Sequence, residues 1–402
     1  MFYNLEQWAS FGYDQVNTAW EAMHIVTRQD YPLLGMVAKA TSGIHIGPLY
    51  YYYASLFYFL TRMDPVAAPI IAGVTSLFSF GVVYVVSKKL FDGRVALVSA
   101  FIYTCSSFII NFERAQLPIN FIAPLSLFTL FFLHKVITGE PKYFLHLGAM
   151  VGLSFHIHFT AIFYPIIILT ALPFVRWNKV SFKYFMGAIG VGALFFIPQI
   201  VYYLQANHTY ELGAYNGYML SNYHGFHLRR MLQLTPDAFI QFETVLMTPF
   251  VRYISYLFVP AFATAYISQE RTRKRWLLTY LIALWFFIPW IVFTTYSGEI
   301  SQYYFSLQSY VGVIMLAYLT VRIWDRRSII FRILIAIYWL YWTSNNIRVF
   351  FNKTPGDFPK NRAAVLEAIR AGRVIQFSEG DPQSYLYYYY LYSRHKELPY
   401  KL

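Results

Sequence analysis

Asp14 is the first residue along this 402-residue chain whose setting suggests chemistry. It stands in Gly12-Tyr-Asp-Gln-Val-Asn-Thr-Ala-Trp20. A carboxylate set among aromatic and apolar side chains is tuned toward a general base. The same group could hold a divalent cation. A plainer role competes: Asp is a good N-cap, and a helix is expected over 15–28. The next candidate is His45, in Gly43-Ile-His45-Ile-Gly47-Pro48-Leu49-Tyr50-Tyr51. His45 is either a hydrogen-bond partner for a phosphate or an interfacial aromatic, and Tyr50 is a candidate substrate contact beside it. Arg114 follows, in Glu113-Arg114-Ala-Gln-Leu-Pro118-Ile-Asn120. A guanidinium forks onto phosphate oxygens, although a lone Arg is often merely solvated.

His156 and His158 lie in Ser-Phe-His-Ile-His-Phe-Thr. A spacing of two does not put both on one helix face, so as a metal pair they are weak. Glu299, Gln302, Tyr303 and Tyr304 form a last group, either substrate contacts or headgroup anchors. The stretch 205–249, with Tyr215, Tyr218, His224, His227, Arg229 and Arg230, is a long loop of the kind that often carries function. No phosphate-binding glycine loop, serine-nucleophile elbow, zinc-protease or dinucleotide fingerprint appears in a credible context.

The elements that must position these residues follow from composition. Hydrophobic residues make up 57% of the chain and charged ones 13%. A soluble domain carries about 25% charged residues, so this chain cannot make a wetted surface of ordinary kind. Mean hydropathy is +0.42. Apolar runs of spanning length are expected at 66–87, 95–112, 118–135, 143–159, 160–176, 184–204, 250–268, 277–295, 303–321 and 328–345, about ten in all. The expected class is an all-α polytopic membrane protein. The single cysteine, Cys105, lies in an apolar run and excludes an intrachain disulfide.

Net charge is +13, but the cations sit in short clusters between apolar runs. Lys88, Lys89 and Arg94 form one, Lys135 and Lys142 the next, then Arg176, Lys179 and Lys183. Arg271, Arg273, Lys274 and Arg275 follow, and then Arg322, Arg326 and Arg327. They occupy alternate connections, as the positive-inside rule requires of cytoplasmic loops. The excess is therefore read as that rule plus attraction to lipid headgroups, not as a nucleic-acid surface. The opposite face then carries a first loop over 1–65, the 205–249 loop and a small domain over 346–402. Residues 47–62 are apolar but short, and are expected as an aromatic helix lying in the outer interface. Translocating the first loop calls for a further helix upstream of Met1. The tail is expected to be α+β: a helix over 361–371, a strand-like run at 374–377, a turn at 380–382, and Tyr387–Tyr390 as strand or helix.

The expected spans carry no Asp or Glu. Polar residues gather at the outer helix ends and loops, which favours a site at the outer interface over a path through the membrane. This arrangement resembles the GT-C glycosyltransferases, in particular the enzymes related to protein O-mannosyltransferases and the lipid A aminoarabinose transferase. The resemblance rests on the early acid and on Gly47-Pro-Leu-Tyr-Tyr after His45. It also rests on Lys88-Lys-Leu-Phe-Asp-Gly-Arg94, on Arg114 with Pro118-Ile-Asn120, and on Gly152-Leu-Ser-Phe-His156-Ile-His158, over residues 8–345. It implies a polyprenyl-phosphate-linked sugar as donor, Asp14 as base or acceptor-orienting group, Arg114 as a donor-phosphate contact, and transfer with inversion at the outer face. Ile46 stands where the aminoarabinose branch has Lys, Gly47 where it has Pro, and Asn120 where some relatives have an acid. The acceptor is left open among protein, lipid and glycan. A lipid-linked glycan polymerase or ligase, or a lipid or polysaccharide transporter, are the competing readings.

Overall fold

Asp92 shows how the short turns are built. Its carboxylate accepts from the amides of Arg94 (2.8 Å) and Val95 (2.9 Å) and so starts a helix right after the preceding one ends. The computed structural model describes residues 3–38, 43, 45–205, 217–218, 220–247, 251–325, 328–353, 356, 358–372 and 382–393. The described residues form helices joined by short turns. Their only β pairings are isolated bridges at Val37–His45 and Tyr223–Tyr296.

Helices α1 (Tyr13–Val26) and α2 (Leu49–Leu60) precede the long α3 (Ala67–Leu90). Helix α4 (Gly93–Cys105) bends by 66° into α5 (Ser107–Glu113). The Ser106 hydroxyl caps α5 by accepting from Ile109 N (3.4 Å), and Asn346 Oδ1 accepts from Ser107 N (2.6 Å). A turn at Pro118–Phe121 leads into α6 (Ile122–Ile137), then α7 (Tyr143–Ser154) and α8 (Phe163–Ala171). Helices α9 (Lys179–Leu194) and α10 (Ile197–Gln205) form a second bent pair, at 52°. After these come α11 (Leu228–Ala238), α12 (Ile240–Leu246), α13 (Phe258–Ile267), α14 (Arg273–Phe293), α15 (Ser309–Trp324) and α16 (Ile329–Phe351). Two helices close the chain, α17 (Phe358–Arg370) and α18 (Pro382–Ser393).

Four of the described helical segments are long and apolar enough to cross a membrane, or up to six if each bent pair is one span. Of the about ten expected runs, those at 143–159, 160–176 and 250–268 appear as shorter apolar helices. The last, at 328–345, is the 23-residue α16. Buried polar joints tie the bundle together. Trp285 Nε1 donates to Ser126 Oγ (2.6 Å), which donates to the Leu307 carbonyl (2.6 Å). Gln241 Nε2 donates to Gln308 Oε1 (2.7 Å). Helices α7 and α9 meet through small residues, as helices in lipid do: a Cβ on Gly148 would run into the Ala188 carbonyl.

The described part of the tail holds the helix expected over 361–371 and leaves the expected α+β class unconfirmed. That part is two helices, and Tyr387–Tyr390 are helical within α18. The strand-like run at 374–377 lies outside the described residues. Alternation cannot show in a run of four tyrosines, so only packing could decide their structure. That packing joins the two outer pieces. Phe11, Val16 and Ala19 of the first loop share a core with Tyr58, Phe358, Val365, Tyr387 and Leu391, separate from the main bundle core. Ser384 Oγ donates to the Phe11 carbonyl (2.5 Å) and Tyr387 Oη to the Met63 carbonyl (2.9 Å). Arg362 pairs with Asp64 (3.0 Å) and Glu6 (3.7 Å). The described residues of the first loop and of the tail thus form one cap over the start of α3. Tyr387→Ala should cost that cap about 3–5 kcal/mol. Limited proteolysis of the variant should then cut within the first loop under conditions in which the parent protein resists; equal resistance would count against the shared core.

Candidate functional site

Asp14 lies in the first turn of α1, and Gly12, not Asp14, is the N-cap. The capping alternative is thereby removed. The carboxylate is half-buried, and burial raises its pKa above the ordinary aspartate range. Its side chain makes no hydrogen bond or ion pair among the described residues. It lies close enough to Tyr50 and Tyr51 for its charge to act on both hydroxyls.

Those tyrosines come from α2, whose inward face is Tyr50, Tyr51, Ala54, Ser55 and Tyr58 at helical spacing, while Leu56 and Leu60 face outward. Asn17 Nδ2 donates to Tyr51 Oη (3.0 Å). Gln116 Nε2 donates to Tyr50 Oη (3.3 Å), and Gln15 Nε2 donates to the Gln116 carbonyl (2.9 Å). The residue after Asp14 is thus bound to the residue two beyond Arg114.

Arg114 is 7% exposed. Its Nη2 donates to the carbonyls of Tyr3 (2.6 Å) and Asn4 (3.3 Å), and its guanidinium lies 4.8 Å from the Trp8 ring. Nη1 is buried and has no partner. Lys353, just past α16, is near enough for the two positive charges to disfavour each other, and its pKa is lowered by burial first and by Arg114 second. No carboxylate pairs with either cation among the described residues. Four further buried atoms on this stretch lack partners: Asn111 Oδ1, Glu113 Oε1, Gln116 Oε1 and Asn120 Oδ1. Orphaned buried polar atoms are rare in folded proteins, so a run of them within ten residues marks a place built for water or a polar ligand. Glu113 is 2% exposed and accepts at Oε2 from Ser76 Oγ (2.5 Å) and from Tyr103 Oη. Asn120 Nδ2 donates to the Ala115 carbonyl (2.7 Å) and holds the loop's shape.

The other expected site residues fall elsewhere. His45 is tied to the Gly35 carbonyl through Nδ1 (3.0 Å). His156 is a joint: Nδ1 accepts from Leu49 N (3.3 Å), and Nε2 pairs with the Phe195 carbonyl (2.6 Å). Gly47 packs against that imidazole, and a Cβ there would land within the ring. His156 therefore seats the start of α2. His158 Nδ1 accepts from Thr160 N (3.2 Å), and its ring packs against Tyr303 and Tyr304 at 6.0 and 5.7 Å. Glu299 sits on a loop joined to the 218–230 stretch, where Arg230 Nη2 donates to the Gly298 carbonyl (3.0 Å). Tyr218 and Tyr296 share a hydrogen bond between hydroxyls. Tyr215 lies outside the described residues. Asp14 and Tyr50 are thus tied through Gln15 and Gln116 to the loop that carries Arg114 and Asn120, while His158 packs with Tyr303 elsewhere.

Gln15, Tyr51, Gln116 and Lys353 were missed from the sequence. Gln116, two residues past Arg114, could have been noticed. Lys353 could not, because only the fold brings it to Arg114. Among the described residues no three His, Cys, Asp or Glu side chains come together as a metal site. The donors around Asp14 are a lone carboxylate, amides and phenols, a poor set for a divalent cation. No step is derived through one.

The model of the dolichyl-phosphate-mannose-protein mannosyltransferase family matches residues 45–203. Among solved structures, ArnT from Cupriavidus metallidurans superposes with a TM-score of 0.53 at 13% identity, over 96% of this chain and 72% of that one. The fold is that of the GT-C membrane glycosyltransferases. A second ArnT structure, bound to undecaprenyl phosphate, matches with a TM-score of 0.54 at 10% identity, over 96% and 73% of the two chains. An archaeal GT-C relative, the Archaeoglobus fulgidus oligosaccharyltransferase, matches with a TM-score of 0.54 at 12% identity. That alignment covers 93% of this chain but only 57% of the archaeal one. A comparison with curated proteins finds no match.

Gly47→Ala should displace the His156 ring and unseat α2 from the GT-C core. Overpacking of this kind costs about 1–3 kcal/mol. The check is a melting curve in detergent. An unchanged midpoint would mean that α2 is seated by other contacts.

Proposed function

We propose that this protein transfers a sugar from a polyprenyl-phosphate carrier to an acceptor hydroxyl or amine at the outer face of the membrane. The observation that carries the reading is Asp14: a half-buried carboxylate of raised pKa, without a hydrogen-bond partner among the described residues, beside two buried tyrosines and linked through Gln15 to the Arg114 loop. The family match over 45–203 supports the donor class. ArnT holds undecaprenyl phosphate in one of its structures, and the archaeal AglB holds a dolichol-phosphate together with an inhibitory peptide.

The chemistry follows from the charges. The acceptor heteroatom attacks the anomeric carbon, and the bond from that carbon to the phosphate oxygen breaks. The electron pair leaves on the lipid phosphate, and the acceptor's proton passes to Asp14. A single displacement inverts the anomeric centre. Arg114 and Lys353 would meet the negative charge that grows on the departing phosphate. The outer-face assignment rests on the alternation of Lys and Arg clusters between the connections.

Asp14→Asn should lower transfer by at least about a hundredfold. It should not reduce stability. A carboxyl whose folded pKa is raised holds its proton more tightly when folded, so its ionisation costs stability as pH rises from the unfolded pKa through the folded one. Asn removes that cost. Radiolabelled polyprenyl-phosphate sugar and membranes bearing either form decide the matter; near-normal labelling by the variant sinks the role. In the parent protein, transfer should fall on acidification at a pH above that of an ordinary aspartate, because Asp14 must be ionised to accept a proton. An acidic limb that persists unmoved in the residual activity of Asp14→Asn would assign that limb to another group.

Lys353→Gln should raise KM for the lipid-linked donor about fivefold, the worth of one phosphate-facing cation near the surface. The acceptor KM should not move. An unchanged donor KM would remove Lys353 from the site.

A further inference from the structure

The opposite end of the bundle holds a cavity that the transfer reaction does not use. Its volume is about 440 Å³, and it opens where the ends of α3, α13 and α15 meet the starts of α4 and α14. Three cations line it: Lys274, Arg275 and Arg322. Two of them are held in place. Arg275 lies 5.1 Å from the Tyr266 ring and donates through Nη1 to the Tyr266 carbonyl (3.1 Å) and to Gln269 Oε1 (3.2 Å). Arg322 lies 5.6 Å from the Tyr318 ring. Phe91 packs against both tyrosines at 5.4 and 5.2 Å and forms an apolar floor.

Two carboxylates, Asp92 and Glu270, also line the cavity, and Asp325 pairs with Arg322; all three are engaged or solvated. Asp92 caps α4. Asp325 is shared by Arg94 (2.7 Å) and Arg322 Nη1 (3.3 Å). Glu270 reaches Arg275 Nε at 3.7 Å, with a side chain 64% exposed. Arg322 keeps Nε and Nη2, Arg275 keeps Nη2, and Lys274 has no ion pair among the described residues. Stacking on a ring fixes a guanidinium while leaving its edge to bind oxygen, so the entropy of ordering these donors is spent before a ligand arrives. A rigid set of cationic donors over an aromatic floor suits a tetrahedral oxyanion.

We propose that this cavity binds a phosphate group through Lys274, Arg275 and Arg322, at the end of the bundle that carries the Lys and Arg clusters. The phosphate is supplied by an anionic phospholipid headgroup or by a free phosphate. The site lies at the other end of the bundle from Asp14 and stands whether or not the chain transfers sugar.

The full chain in detergent is titrated with phosphatidylglycerol and, separately, with inorganic phosphate, and binding is read from the melting temperature and by native mass spectrometry. Saturable stabilisation by either probe supports the site, and which probe acts names the source. Lys274→Gln and Arg322→Gln should each weaken the effective probe about fivefold, and together about 25-fold. Lys88→Gln/Lys89→Gln, on the same end but outside the cavity lining, should bind as the parent does. Equal weakening by that control would mean diffuse surface attraction and overturn the proposal, as would no saturable effect of either probe. Should the double variant fail to fold, Lys274→Gln alone decides, since it breaks no described ion pair.

Discussion

Gln15 and Gln116 are 101 positions apart, and the buried hydrogen bond between them sets the candidate site. A helix end and a loop, each carrying one reactive group, are held in register by it. The net worth of such a bond is only about 0.5–1.5 kcal/mol, but leaving one partner buried and unpaired costs more. Its value is therefore geometric. With Gln116 also reaching Tyr50, the two outer loops and α2 are locked around one space. The His156 imidazole does the same work lower down, filling the room that Gly47 leaves and receiving the first amide of α2.

Low dielectric gives the rest of the site its character. In water, Arg114, Lys353 and the orphaned amide oxygens would be ordinary solvated groups. Buried, each is costly unless something polar meets it. A phosphate would neutralise two repelling cations and accept from Arg114 Nη1 at once. Burial that is unfavourable in the empty protein thus becomes affinity for an anionic ligand. The same logic raises the pKa of Asp14 and leaves it half-ready to take a proton.

The bundle has two ends with different charge logic. One end concentrates Lys and Arg in short turns, several of them braced on tyrosine rings. The other carries few cations, with Arg114 deep and Lys353 half-buried. The cap built from the first loop and the tail covers this second end, and Arg362 clasps Asp64 and Glu6 across it. The cap at this end is therefore built from the first loop and the tail together.

Hydropathy, the alternation of basic clusters and the early acid were legible without coordinates, because membrane spans and their orientation follow from local composition. A helix within 47–62 was legible too, and appears as Leu49–Leu60. Asp14, Tyr50, Arg114 and Asn120 were named, and Gln15 and Gln116 tie their segments together; His45, His156 and His158 were named for chemistry and are held by Gly35, Phe195 and Thr160. A histidine in sequence looks the same whether its nitrogens face a ligand or a carbonyl. Nor could the strand-like tail announce that its tyrosines are helical and packed on Phe11. Composition alone specifies a helical membrane protein, since burial of apolar runs is a property of each run. Only the tertiary structure decided which polar groups were consumed as joints and which were left unsatisfied beside Asp14, since hydrogen bonding between distant segments is a property of their meeting.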